Sequence, residues 1–343
     1  MAEPPGAPGA DPGASAAESI AVLRDSESCR LLQPVRYGGR AASRSASVVS
    51  DFVAAVADLA ERDGSGGWFA AAANTSAYGV ACLGDAAAER VWGADTGALV
   101  AACEEPAGRL TAEAGQFRLT GRWESVTGAL SADWLLLSAL DGDSVRCVLL
   151  PRDAVRVDHQ AGLRGLDAAG IGDVAVSDAV VDAQNVFANP DDSPCATGEL
   201  DKVGPSYGIL AGAARAAAVI GAASGVWQAH VGQVRRRLAT SYGSEDTTEL
   251  TASAVLVAKA ESDIDAARLQ LVTALRADAA DAAGAATALR QAVTRARTAA
   301  DQLLSSGSRH ALDATDPVAR LWLDVLAGYR LTIRRIGGDP SAG

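Results

Sequence analysis

A polar bend between two predicted strands carries residue types that suit recognition of a planar ligand. The alternating run Phe117–Thr120 predicts a half-buried strand before the bend, and the apolar run that starts at Trp134 predicts a strand after it. Between them lie Ser125, Thr127 and Gly128. Hydroxyl groups and backbone N–H groups in such a bend can donate hydrogen bonds to a ring rich in acceptors. On residue types alone, an ordinary β-turn explains the same segment.

Two adjacent carboxylates, Glu104 and Glu105, stand just before Pro106. Neighbouring side chains of an extended chain point to opposite sides, so only one of the two can face a pocket. A buried carboxylate with a raised pKa could accept a proton in catalysis, and Glu104 is our candidate. The alternative, which the residue types favour, is a solvated turn before the proline.

The composition excludes several classes of function. The chain has 343 residues and a formal net charge of −12, so it lacks the broad basic surface that binds nucleic acid or an anionic membrane. Its five cysteines are scattered without CxxC spacing, which predicts reduced thiols in a cytoplasmic protein. Three histidines without ligand spacing predict no metal centre. We identify no signal peptide and no apolar run long enough to span a membrane.

Composition and periodicity divide the chain into a helical part, a β part and a second helical part. Apolar residues recur at helical spacing in the first and last parts, whereas short alternating runs with Gly, Asp and Pro turns fill the middle. The predicted fold class is α+β, mainly α, with an antiparallel β-barrel or sandwich and a C-terminal four-helix bundle. The predicted units are a disordered tail 1–14, an N-terminal helical domain 15–96, the β domain 97–188, a connection 189–204, the bundle 205–335 and a tail 336–343.

Several motifs, in this order along the chain, resemble those of one protein superfamily. They are Leu32-Gln-Pro34 with Tyr37-Gly-Gly39, Asp63-Gly-Ser65 with Trp68, Gly121-Arg-Trp123 with Ala132-Asp-Trp134, Gly162-Leu-Arg-Gly165, and Pro317 with Arg320-Leu-Trp322 and Asp324. Together they resemble the acyl-CoA dehydrogenase superfamily, and within it the group D flavin-dependent monooxygenases more than the dehydrogenases. The resemblance extends from Ser15 to the region of Arg334 and implies an acyl-CoA dehydrogenase-like fold with a bound flavin, either FAD or FMN.

The resemblance implies that the bend crosses the flavin ring. It places Ser125, Val126, Thr127 and Gly128 at the cofactor, with Ser125 where the dehydrogenases stack a tryptophan. A reduced flavin is an anion near its N1–C2=O edge, so it needs hydrogen-bond donors nearby. The Thr127 hydroxyl and the backbone at Val126 and Gly128 are our candidate donors.

Two further cofactor contacts follow from the resemblance. Arg237, within the basic run Arg235–Arg237, is similar to an arginine that reaches the flavin phosphates of a neighbouring subunit, and a guanidinium group suits phosphate. Trp322 belongs to the matching pattern of the last helix. A run of charges is more often a solvated face, so the alternative for Arg237 is no ligand at all.

The resemblance does not assign the catalytic residues. The oxygenases place a hydroxyl after the Gly–Leu–Arg–Gly motif, where this chain has Leu166–Asp173, and a histidine in the last helix, where it has Leu331. His310, in the loop before that helix, is a candidate replacement as proton donor, although a loop histidine without function is the simpler interpretation. Glu104 is the other candidate.

Three functions are consistent with these residues. The first is a monooxygenase that receives reduced flavin from a separate reductase and uses O₂ to oxidise a small molecule. The second is a dehydrogenase that removes an α-proton and a β-hydride from an acyl thioester, which requires a carboxylate base facing the flavin. The third is a catalytically degenerate subunit of a hetero-oligomer that stabilises an active homologue. The resemblance also implies a homotetramer for either enzyme.

Overall fold

The computed structural model describes most of the chain. It covers residues 20–24, 26–40, 46–113, 115–160, 162–191, 205–240, 247–277, 281–306, 313 and 315–336. The predicted tail 1–14, most of the tail 336–343, most of the connection 189–204 and His310 lie outside the described residues. The described elements follow the predicted order of helices, sheet and helices.

In the part of the chain that the structure describes, residues 20–24 are helical, and three longer helices precede the sheet. They are α1 (Ala46–Arg62), α2 (Gly64–Cys82) and α3 (Asp85–Trp92). The Asp63 carboxylate caps α2 by accepting the Gly66 N–H at 3.1 Å. Almost every residue of α2 is buried, because its small side chains let α1, the sheet and the C-terminal helices approach its backbone.

The middle of the chain forms one seven-stranded sheet. Its strands are β1 (Val100–Glu113), β2 (Gln116–Val126), β3 (Trp134–Asp141), β4 (Ser144–Pro151), β5 (Arg156–His159), β6 (Gly172–Asp182) and β7 (Val186–Ala188). Their order is β5-β6-β2-β1-β3-β4-β7, and the neighbouring strands are antiparallel except β1 and β3. The predicted antiparallel arrangement is corrected at this pair. The chain crosses from β2 to the other side of β1, so β3 runs in the same direction as β1.

Strand β1 does not end at the predicted turn before Pro106 but continues from Cys103 through Pro106 to Glu113. Its pairing with β3 is irregular between Cys103 and Gly108. Proline lacks the N–H group that a β-ladder requires, so such an irregularity accommodates it. Glu104 therefore lies where β1 departs from regular pairing.

Four helices follow the sheet. They are α4 (Tyr207–Thr240), α5 (Thr247–Leu275), α6 (Ala282–Ser306) and α7 (Pro317–Ile336). Helix α4 is central, since it packs against α1, α2, α5, α6 and α7. Contrary to our expectation, its length and composition would allow it to span a membrane, but 94% of its apolar window is buried inside the protein. It is the core helix that a bundle of this kind requires. The predicted fold class, α+β and mainly α, is confirmed.

The cysteines differ in state. Cys29 and Cys103 are buried free thiols. Burial raises the pKa of the Cys29 thiol to about 11, so this thiol stays protonated and unreactive near neutral pH. Cys82 is disulfide-bonded, so the predicted reduced state was wrong at that position.

Helices α1 and α4 approach each other through glycines. A Cβ on Gly221 would stand 2.2 Å from the Ala57 carbonyl oxygen, and one on Gly225 would stand 2.1 Å from the Glu61 carbonyl oxygen. In a close-packed interior, backbone atoms of a helix yield far less readily than the end of a flexible side chain. The interface between the two helices therefore requires glycine at both positions.

We expect Gly221→Ala to lower the free energy of unfolding by about 1–3 kcal/mol, because the added methyl group forces α1 and α4 apart. Gly232→Ala is the matched control on α4, since a Cβ there meets the end of the Arg236 side chain at 3.5 Å. The free energy of unfolding of the control should rise by about 0.5–1 kcal/mol, because alanine has a higher helix propensity than glycine. Urea unfolding of the parent and both variants measures the effects, and equal effects at the two sites would contradict the packing argument.

Candidate functional site

Ser125 fixes the start of the bend with all of its polar groups. Its N–H donates to the Asp173 carboxylate at 3.0 Å, and its hydroxyl donates to the Gln160 side-chain oxygen at 3.1 Å. Its carbonyl oxygen accepts a hydrogen bond from Arg335 Nη2 at 3.1 Å. Its φ of 54° is in the left-handed region, which disfavours a residue other than glycine. These contacts hold that conformation in place, so the polar groups of Ser125 are engaged within the protein.

The remaining backbone of the bend is also partly engaged. The Gly128 N–H donates to the Ala169 carbonyl at 3.1 Å, and the Leu130 N–H donates to the Gly170 carbonyl at 3.2 Å. Val126 is fully buried in the core of the sheet. The Gly128 N–H, predicted as a donor to the flavin, is therefore used by a neighbouring loop. Thr127 is the one predicted side-chain donor of the bend that keeps an available proton.

Thr127 faces a small cleft between the helices and the sheet. Its oxygen accepts a hydrogen bond from the Trp68 indole N–H at 2.9 Å, which leaves its own O–H available to donate. The cavity has a volume of 10 Å³, which is room for about one water molecule. We call it the polar cleft, and its polar lining comprises Trp68, Thr75, Ser76, Glu104, Thr127, Arg215 and Arg335.

A carboxylate held by two arginines forms one wall of the polar cleft. Glu104 lies 2.5 Å from Arg215 Nη2 and 3.0 Å from Arg335 Nη1. Burial alone would raise the pKa of Glu104, but the charges of Arg215 and Arg335 outweigh it and lower the pKa to about 2. A carboxylate with so low a pKa is ionised but is a very weak base near neutral pH. The expected raised pKa of Glu104 is therefore wrong, and its role as a proton acceptor stays a prediction that the lowered pKa disfavours.

Comparison with known proteins identifies the fold. Residues 213–332 match the family described as acyl-CoA dehydrogenase, C-terminal domain. The oxygenase subunit HsaA of a flavin-dependent monooxygenase from Rhodococcus jostii (strain RHA1) is 29% identical, over 91% of this chain and 86% of its own length. The crystal structure of 3-HSA hydroxylase from Rhodococcus sp. RHA1 superimposes with a TM-score of 0.80 at 27% identity, over 92% of this chain and 86% of that one. The structure of butyryl-CoA dehydrogenase from Megasphaera elsdenii superimposes with a TM-score of 0.73 at 16% identity, over 93% of this chain and 88% of that one.

The chain has the acyl-CoA dehydrogenase fold. The predicted resemblance to this superfamily, nearer the flavin-dependent monooxygenases than the dehydrogenases, is confirmed. The polar cleft therefore lies in a fold whose relatives include flavin-dependent enzymes, and its lining contains Thr127 of the bend that was predicted to cross the flavin.

Three of the motifs that carry this resemblance meet at one buried carboxyl group. Asp324 accepts a hydrogen bond from the Leu166 N–H at 2.6 Å and one from the Ser65 hydroxyl at 3.3 Å. Gly165 packs so closely that a Cβ on it would stand 2.3 Å from the Leu323 carbonyl oxygen. Burial, with smaller contributions from nearby carboxylates, raises the pKa of Asp324 to about 7. This carboxyl group joins α7, the start of α2 and the loop that supports the bend.

Arg237 and Trp322, the two other predicted cofactor residues, lie far from the polar cleft of the same chain. Arg237 is exposed near the end of α4, and about 33 Å of helix separates it from Arg215 at ~1.5 Å per residue. Trp322 donates its indole N–H to the Asp301 carboxylate at 2.7 Å. About 20 Å of α7 separates Trp322 from Arg335. Their contacts with a flavin remain predictions, and Arg237 was predicted to act on a neighbouring subunit.

Sequence reasoning missed four polar residues of the cleft, Thr75, Ser76, Arg215 and Arg335. Arg215 carried a signal, because it is the one Lys, Arg, Asp or Glu in the apolar first two-thirds of α4, and a charge buried there needs a partner. Arg335 carried no such signal, because Arg334 beside it is also an arginine. The two differ only in the direction in which the helix points their side chains.

The Asp324 carboxyl group should make stability depend on pH. The pKa of Asp324 is about 7 in the folded protein and has an ordinary value of 3.8. The stabilising contribution of this group to the free energy of unfolding is therefore fully present below about pH 4 and is lost as the pH rises through 7. At ~1.4 kcal/mol per unit of pKa displacement, the loss could reach about 4 kcal/mol.

Asp324→Asn removes this titration, so the variant should lose less stability than the parent between pH 5 and pH 8. Asp153→Asn, at an exposed position, is the control and should follow the parent. Urea unfolding at several pH values measures the difference. Parallel pH profiles for the parent and Asp324→Asn would show that this carboxyl group does not titrate in the expected range.

Proposed function

We propose that this chain is the oxygenase component of a flavin-dependent monooxygenase that oxidises a small organic molecule with reduced flavin and O₂. The observation that carries the proposal is that the polar cleft presents hydrogen-bond donors beside the bend predicted to cross the flavin. The likeness to the oxygenase subunit HsaA along almost the whole chain supports it.

The chemistry of the cleft fits the anionic edge of a reduced flavin. Thr127 has an available O–H, and the buried Ser76 hydroxyl, which lines the cavity, has no hydrogen-bond partner recorded among the described residues. Arg215 and Arg335 add positive charge. Such donors and charges stabilise an anion most where water is excluded. Thr127, Ser76 and Arg215 are therefore the residues that would hold the flavin.

The size of the cavity adds a requirement. Pockets that hold cofactors or small ligands measure roughly 300–1,000 Å³, whereas this cavity measures 10 Å³. Side chains of the cleft must therefore move before a flavin ring can enter. The two arginines and Glu104 form the wall that has to open, because they converge on the cavity from three different elements.

The residues of this chain would then act by position and charge. A bound reduced flavin supplies the electrons for activating O₂. Trp68 fixes the rotamer of Thr127 and leaves its proton available for the ligand. Arg215 and Arg335 favour the anionic state of whatever occupies the cleft.

The alternatives receive unequal support. An acyl-thioester dehydrogenase needs a carboxylate base, and the lowered pKa makes Glu104 a poor candidate for that base. A catalytically degenerate subunit of a hetero-oligomer is favoured by one observation, the closed cavity.

We further propose a separate flavin reductase as partner, because HsaA is named an oxygenase subunit. The homotetramer, the choice between FAD and FMN, and the cytoplasmic location remain predictions.

Anaerobic titration of the purified chain with reduced and oxidised FAD and FMN tests the proposal. We expect tight binding of a reduced flavin, followed by reoxidation in more than one kinetic phase when the complex is mixed with O₂. Failure to bind any of the four forms would overturn the enzyme function and favour the non-catalytic subunit. Binding followed by unreactivity towards O₂ would favour the dehydrogenase.

Thr127→Val should weaken the binding of reduced flavin about tenfold, because a hydrogen bond to a charged group contributes ~1.5 kcal/mol or more. The matched control is Thr111→Val, which removes an exposed hydroxyl from β1 of the same sheet. The Trp68 indole also loses its acceptor in the Thr127 variant, so its melting temperature should fall slightly. Unchanged flavin affinity in Thr127→Val would show that its hydroxyl does not contact the cofactor.

A further inference from the structure

The polar cleft holds more positive than negative charge, although the chain as a whole is acidic. Two guanidinium groups, Arg215 and Arg335, face one carboxylate, Glu104, in a chain with a formal net charge of −12. The side chains of the two arginines are 16% and 12% exposed, so water screens their charges less than it would at the surface. A buried surplus of positive charge favours occupation by an anion.

The two arginines differ in how far their donors are used. Arg335 donates to Glu104, to the Ser125 carbonyl and to the Cys103 sulfur, so its guanidinium group is fixed at the end of the bend. Arg215 donates through Nη2 to Glu104, and the described part of the chain records no further acceptor for it. Arg215 therefore has N–H groups to offer a ligand that enters the cleft.

Glu104 occupies the position that such a ligand would need. Its two carboxylate oxygens each bind one arginine, Oε1 to Arg215 and Oε2 to Arg335, as the two oxygens of an incoming anion would. A second anion placed against the same guanidinium groups would be repelled by Glu104. Either the ligand is excluded or the carboxylate leaves.

We infer that Arg215 and Arg335 form an anion-binding pocket, that Glu104 fills it as an internal anion in the unliganded chain, and that a bound organic anion displaces Glu104. The anion would be either the reduced flavin, which rests on the proposed function, or the carboxylate of a substrate. Opening the pocket in this way also removes one wall of the 10 Å³ cavity.

The neighbouring residue provides a matched control. Glu105 is exposed, lies 3.7 Å from Arg334 and is not among the residues that line the cavity. Glu105→Gln therefore removes the same charge from the next position on the same strand. Of the two substitutions, only Glu104→Gln removes the carboxylate that binds both buried arginines directly, while its amide oxygen can still accept a hydrogen bond.

The experiment measures dissociation constants for the full chain, for Glu104→Gln and for Glu105→Gln. The ligands are reduced and oxidised FAD and FMN under anaerobic conditions and, in a separate arm, benzoate as a simple carboxylate. We expect Glu104→Gln to bind one of the anions about tenfold more tightly than the parent, which corresponds to about 1.4 kcal/mol. Oxidised FAD and FMN, whose ring is neutral, should gain less, and Glu105→Gln should match the parent.

The two arms separate the sources of the anion. A gain for reduced flavin alone identifies the cofactor, and a gain for benzoate alone identifies a substrate carboxylate. If no variant binds any flavin, the proposed function fails while the benzoate arm still tests the pocket. Equal affinities of Glu104→Gln and Glu105→Gln for both anions would overturn the inference.

A second variant keeps the test decisive if Glu104→Gln does not fold. Arg215→Gln leaves Arg335 on Glu104 and removes the guanidinium group with unused donors. It should weaken the binding of the same anion about tenfold without a matching loss for oxidised flavin. Unchanged binding of both reduced flavin and benzoate in Arg215→Gln would also overturn the inference.

Discussion

The buried carboxyl group of Asp324 determines the position of Thr127 by two separate routes. Through the Leu166 N–H it holds the loop whose carbonyl groups bind the backbone of the bend. Through the Ser65 hydroxyl it holds the first turn of α2, the helix that carries Trp68, and Trp68 binds the Thr127 oxygen. A shift of this carboxyl group would move both supports together. The fold thus depends on a polar group placed where burial opposes its charge.

The cleft shows how one pair of charges limits the chemistry that neighbouring groups can perform. Desolvation alone would make Glu104 a plausible proton acceptor, and the two arginines reverse that outcome. The same contacts tie β1 to α4 and α7, so they contribute to the assembly of the sheet on the bundle. Charge recognition, rather than proton transfer by a carboxylate, is the property that this arrangement supports.

Much of the architecture was predictable from the sequence, because periodicity and turn residues are local signals. The order of helices, sheet and helices and the bend followed from such signals, whereas the choice of Thr127 as a ligand contact came from the resemblance. The parallel pairing of β1 with β3 did not, since it depends on where the chain passes after β2. Nor did the partners of Ser125 and Glu104, because Arg335 reaches both from the far end of the sequence. Contacts between distant segments have no local periodicity to reveal them.

The glycines between α1 and α4 limit how the molecule can open. At Gly221 and Gly225 the two helices touch backbone to backbone, with no side-chain layer between them. Surfaces in such contact do not slide over one another or separate by small steps, because each displacement meets main-chain atoms directly. The N-terminal helices and the central helix therefore move as one body. Access to the interior must come from side-chain rearrangement near the end of α7 or from displacement of the sheet, not from a hinge between the helical layers.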